Sequence, residues 1–279
     1  MSETKDTAAG RADESPIPSH EPEDHDPREM SFLDHLEELR GVLFRCLVAF
    51  TFGILIVIFF IGQVADLLSW PLDRAYAAVG MTDENLITTR VFEIFTVLIT
   101  VCFLSGFVIS LPFMLYFGAQ FVAPGLTKKE LSILRPGCVA AFLLFLTGAS
   151  FAFFMVLPKA IEITLRLNRL FNIEQYLTVG SYYATVVWVT FAVGVAFEFP
   201  LIIILLAYID IVTVKQLLES RRMAFVFTLI ASALITPGGD PITLMILALP
   251  LYGLYEAAIV ISEKLIRKRP SLEDAVDAA

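Results

Sequence analysis

Residues 191–206 read FAVGVAFEFPLIIILL, and fifteen of the sixteen are apolar, glycine or proline. The exception is Glu198, one turn after Gly194 and two residues before Pro200. A carboxyl in such a run costs roughly 2.5–3.5 kcal/mol on membrane-insertion scales, so its presence in a span calls for a reason. The rest of the chain decides for the span. Of its 279 residues 57% are hydrophobic, with a mean hydropathy of +0.75, well above a soluble domain of this size. Several other runs approach the roughly 20 apolar residues that cross a hydrocarbon core. Short alternating segments of a transmembrane barrel are not seen.

The pattern predicts an all-α membrane protein with six transmembrane helices. They cover about Val42–Ile61, Ile94–Phe121, Pro136–Leu157, Tyr182–Tyr208, Ala224–Ile235 and Ile242–Ile261. Pro112 interrupts the second and Pro200 bends the fourth. The fifth is short for a bilayer and predicts local thinning. Before the first span, SFLDHLEELR (residues 31–40) places Phe32, Leu36, Leu39 and Leu43 at helical spacing, predicting a short amphipathic helix at the membrane surface. The two long loops, about Gly62–Phe92 and Lys159–Ser181, are expected to fold into short helices over one face.

Three regions follow. Residues 1–30 are acidic and nearly free of apolar side chains, as in a disordered tail without the apolar stretch of a signal peptide. Residues 31–268 form the membrane domain, and 269–279 a short cytoplasmic tail. Fourteen Lys and Arg residues flank one side of the spans and five (Arg74, Arg90, Lys159, Arg166, Arg169) the other. The positive-inside rule therefore puts both termini in the cytoplasm. Arg45, one turn inside the first span, is expected to snorkel back. The arginine pair Arg221–Arg222 reads as a topology determinant or a phosphate contact.

Catalysis finds no support. The histidines are His20, His25 and His35, all before the first span, and no glycine-rich phosphate loop or paired-cysteine motif is present. Cys46, Cys102 and Cys138 sit apart in apolar context, as packing residues do. No cofactor, metal or nucleic-acid partner is expected. Two sets of acids remain. Asp34, Glu37 and Glu38 lie three and four residues apart and repel on one helix. A guanidinium ligand would relieve that repulsion, and so, more simply, would solvent with Arg40 and Arg45 as counter-charges. Glu198, read as the one acid at depth, fits a neutral structural hydrogen-bonding group, a proton relay, or a polar anchor facing a partner helix. Thr127 and Glu130 also form a capping box for the helix that follows the Pro124-Gly125 turn.

Together HLEELR (35–40), the proline of SWPL (69–72), QFVAPGLTKKE (120–130), VAFEFP (195–200), the Arg221–Arg222 pair and ITPGGDP (235–241) resemble the TatC family, the multispanning receptor subunit of the twin-arginine protein translocase. The resemblance implies a cupped, glove-like six-helix bundle in a bacterial-type cytoplasmic (inner) membrane. It implies binding of twin-arginine signal peptides of folded precursor proteins, and export with TatA and TatB single-span subunits driven by the proton-motive force. It also implies self-association in a multimeric receptor complex. Signal-peptide recognition maps to Glu38, Glu130, Phe121, His35 and Arg40, and the intramembrane partner site to Glu198. Pro71, Pro124 and Asp240 map to structural or turn positions. The alternative is a six-span proton-coupled transporter using Glu198. The chain departs from the family where Gly238-Gly239 replaces a proline, which should loosen the turn. It departs again at Leu244, where a glutamine is usual, near Ile99, where a lysine is usual, and in its acidic extension.

Overall fold

The computed structural model describes residues 32–81, 86–123, 128–173, 177–209 and 211–267; the side chains of residues 32–35, 128–135, 237, 266 and 267 fall outside that description. Apart from one isolated bridge, the described residues hold helices and turns and no strand. The helices are α1 (Phe32–Phe59), α2 (Ile61–Val79), α3 (Glu93–Val122), α4 (Lys128–Phe151), α5 (Leu157–Leu170), α6 (Val179–Tyr208), α7 (Val214–Glu219), α8 (Arg221–Ile235) and α9 (Pro241–Arg267).

Five stretches are long and apolar enough to cross a membrane: Leu36–Phe59, Glu93–Val122, Pro136–Leu170, Val179–Tyr208 and Pro241–Leu265. Only 17 to 39% of each is buried inside the protein, so their remaining apolar surface is met by lipid. The chain is a multi-pass membrane protein. α8, expected as a crossing, has 15 residues and a length of about 22 Å, short of a bilayer core.

Two expectations change. The amphipathic segment 31–40 is not a separate helix, because α1 runs unbroken from Phe32 to Phe59. Between them stands only Gly41, and one glycine costs about 1 kcal/mol, too little to break a helix stabilised on both sides. The third span likewise continues past Leu157. A π-turn over Ala152–Val156 joins α4 to α5, with the Leu157 N–H donating five residues back to Ala152. Pro158 comes next and has no N–H to resume the four-residue register.

The expected loop helices are α2 and α5. α2 buries Leu68, Pro71, Leu72, Ala75 and Tyr76, and packs on α5. Arg166 donates to Ala78 O (3.2 Å) and Arg169 to Val79 O (3.3 Å), so two guanidinium groups cap the carbonyl end of α2. Gly80 closes that end at φ +72°, where a side chain would be strained. The loops are tied together as well. Ile87 pairs with Leu177 and Val179 through backbone bonds of 3.0 Å. The Glu93 carboxylate accepts from the N–H groups of Thr89 (2.9 Å) and Gly180 (2.8 Å).

α6 is the axis of the bundle and packs on α3, α4 and α9. Its contact with α4 is reciprocal. Phe145 of α4 fills the space at Gly194, and Phe197 of α6 fills the space at Gly148; both rings are buried. α1 is held mainly by α3, through a backbone crossing of Gly53 on Gly106. Small residues at such crossings let helices approach closely where no hydrophobic force drives them together.

Candidate signal-docking groove and intramembrane acid

On α1, positions 38, 41, 42 and 45 share one face at helical spacing. That face meets the last turn of α3. Between them lies a groove of about 350 Å³ lined by Glu37, Glu38, Gly41, Val42, Arg45 and Gln120. Glu38 is half-buried, and its Oε2 is buried with no hydrogen-bond partner among the described residues. An unpaired carboxylate oxygen out of water is costly. The groove thus holds an unmet demand for a donor, in a setting already made acidic by Glu37.

The other sequence-derived residues divide around this groove. Phe121, beside Gln120, lines a different cavity of about 470 Å³, an almost wholly apolar cleft between the ends of α3, α4, α6 and α9. Cys138, Tyr208 and Leu265 line it too, so these helix ends lie at the same end of the bundle as Gln120. Arg40 is exposed on α1 and does not line the acidic groove. The side chains of His35 and Glu130, and all of Pro124, lie outside the described residues. Pro71 is buried inside α2, next to Trp70, whose ring stacks on Phe153 (6.0 Å) and meets Phe154 edge-on (5.0 Å). Tyr182 of α6 donates across to Leu68 O of α2 (2.7 Å).

Glu198 lies two-thirds of the way along α6, partly buried, with its carboxyl against the backbone of Phe145. Its Oε1 is buried and has no hydrogen-bond partner among the described residues. Glu38 and Glu198 thus each keep one buried oxygen without a partner among the described residues.

Sequence reasoning missed one acid. Glu256 lies within the membrane-capable part of α9, so Glu198 is not the sole acid at depth. It accepts from Arg221 (2.9 Å) and from the Tyr252 hydroxyl (2.8 Å). Arg221 is accordingly a cross-helix ion-pair partner, a contact that the sequence reading of the arginine pair did not include. The signal was available: LYEAAIVIS carries an acid in an apolar run just as VAFEFP does.

The turn between α8 and α9 has a conformation that suits its glycines. Gly238 and Gly239 sit at φ +81° and +63°, where a side chain would be strained. Asp240, whose role the sequence left open, accepts from Thr243 N (2.7 Å), and Pro241 begins the helix. It is the N-cap of α9.

Comparison with known proteins now bears on this arrangement. The family model described as Sec-independent protein translocase protein (TatC) matches residues 34–250. The chain belongs to the TatC family. A Sec-independent protein translocase protein TatC from Aquifex aeolicus (strain VF5) is 32% identical over 247 residues, covering 88% of this chain and all of that one. Its counterpart from Synechocystis sp. is 31% identical, covering 84% of this chain and 88% of that one. A crystal structure of the twin-arginine translocase receptor TatC superposes with a TM-score of 0.70 at 32% identity, over 83% of this chain and 99% of the other. A second, in the detergent DDM, gives 0.71 at 33% identity, over 82% and 99%. The helical bundle is thus the family fold. The family is a component of protein translocation, not an enzyme, and membership decides against the solute transporter.

Proposed function

We propose that this chain is the receptor subunit of a twin-arginine translocase and that the α1–α3 groove docks the arginine pair of a signal peptide. The observation that carries the reading is Glu38, an acid with one buried oxygen left without a donor, in a groove shared with Glu37 and Gln120. A guanidinium fork supplies that donor and a second bond besides. Glu130 and His35, from the same motifs, and Arg40 complete the recognition set, with Phe121 marking where an apolar stretch of the signal runs on beside the cleft. Pro124 belongs to the same sequence motif as Glu130.

Glu198 is the anchor for a polar side chain of a single-span TatA or TatB partner, and receptor copies associate in the assembled complex. α8 counts as a short sixth crossing. Both termini then face the cytoplasm of a bacterial-type inner membrane, residues 1–30 and 269–279 flank the domain as tails, and the proton-motive force drives export.

The purified chain should bind a labelled peptide carrying adjacent arginines before an apolar stretch, and bind its twin-lysine version at least tenfold more weakly. Glu38→Gln should lose most of that preference. Equal binding of both peptides, or an unchanged preference in the variant, refutes the docking site. For Glu198, Ala substitution should reduce co-purification of the single-span subunits with membrane insertion intact; normal co-purification removes the anchor.

A further inference from the structure

Arg45 shares the acidic groove with the residue proposed to receive the ligand. It stands seven positions after Glu38, two helical turns along the same face, and lines the cavity with Glu37, Glu38 and Gln120. It is exposed and forms no ion pair within 4.0 Å among the described residues, whereas Glu38 Oε2 in the same groove has no donor. Arg40, the other arginine of this helix segment, does not line the groove. A guanidinium cannot be deprotonated, so the groove always contains one positive charge. That charge lines the same groove as both glutamates on a long side chain and is paired with neither among the described residues.

We propose that Arg45 is the resident cation of the groove, a built-in competitor that screens Glu37 and Glu38 when no signal is bound and lowers the affinity for the arginine pair. The inference rests on the docking site proposed above and concerns its regulation. An incoming guanidinium pair is attracted by the acids and repelled by Arg45, and Arg45 must swing toward water for the pair to seat fully. The result is a receptor that docks its signal reversibly. Without this charge the same acids would hold the signal tighter and release it more slowly, since affinity changes within one interface fall mostly on the off-rate.

One unit charge about 10 Å away near a protein surface changes the affinity for a cation by about tenfold. The test is a titration of a fluorescent twin-arginine peptide into the full-length chain in lipid nanodiscs, using wild type, Arg45→Gln, Arg45→Lys and the double variant Glu38→Gln/Arg45→Gln. Arg45→Gln should bind about tenfold tighter at low salt, the gain should vanish by about 0.5 M salt because the groove is open to screening, and Arg45→Lys should restore wild-type affinity. The double variant should show less gain than the single one. If wild type binds but Arg45→Gln binds equally or more weakly, or the gain persists at high salt, the resident-cation role is refuted while the receptor reading stands. If wild type fails to bind, the receptor reading falls and this inference with it.

Discussion

The α1–α3 crossing supplies a demanding test of the packing. A Cβ built on Gly53 would lie 2.5 Å from the Gly106 carbonyl oxygen and 3.3 Å from its carbon, and one built on Gly106 would lie 2.9 Å from Ile54 N. These obstacles are backbone atoms, which cannot rotate aside. Contact distances of about 3.5 Å require the helices to part by about 1 Å, and a gap of that size forfeits a quarter to a half of each contact. Overpacking by one methyl then costs about 3 kcal/mol, while replacing a helical glycine by alanine returns about 1 kcal/mol. Gly53→Ala should therefore lose about 2 kcal/mol, roughly a thirtyfold change in the ratio of folded to unfolded protein. Gly253→Ala is the control: nothing lies within 4 Å of the added Cβ on α9, so it should be neutral or slightly stabilising. Both are measured by thermal loss of the monodisperse peak in detergent, followed by fluorescence-detected gel filtration. Because α1 is held mainly by α3, parting them should also weaken twin-arginine peptide binding at the groove they share. If Gly53→Ala matches Gly253→Ala in stability, the crossing relaxes cheaply and the claim of a backbone-limited interface is wrong.

Asp240→Ala removes the bond to Thr243 N and should lower stability by about 1 kcal/mol, as for other N-caps; the same thermal assay should detect it with peptide binding unchanged. Arg221 and Glu256 are partly exposed, so a double-mutant cycle with Arg221→Gln and Glu256→Gln should give a coupling energy of about 0.5–1 kcal/mol, and additive single effects would show that the pair contributes nothing. Gly180→Ala would push a methyl into the Glu93 carboxylate that ties the two loops, and faster protease cleavage near residue 90 should report the loosened contact.

Membrane class and helix positions followed from the sequence alone, because they are local properties. A run of apolar residues is long enough for a bilayer or it is not, and its backbone must be helical because lipid offers no hydrogen bonds. The same holds for the family motifs and for the repelling acids near residue 38, whose meaning lies in their spacing. Where a pattern had to stop was harder to see: α1 ran through Gly41, and the third span ran through a π-turn into α5, because neither break costs enough to end a helix. Partners were beyond reach altogether. Glu256 meets Arg221 across 35 residues, Arg166 meets Ala78 across 88, and Gln120 closes the groove of Arg45 from a separate helix. Such pairings are decided by which helix faces come together, and glycines such as Gly53, Gly106, Gly148 and Gly194 set those faces by letting two backbones, or a backbone and a ring, share one space. The chain's local chemistry determined what each helix is; only the packing decided which side chain would be left holding an unanswered charge.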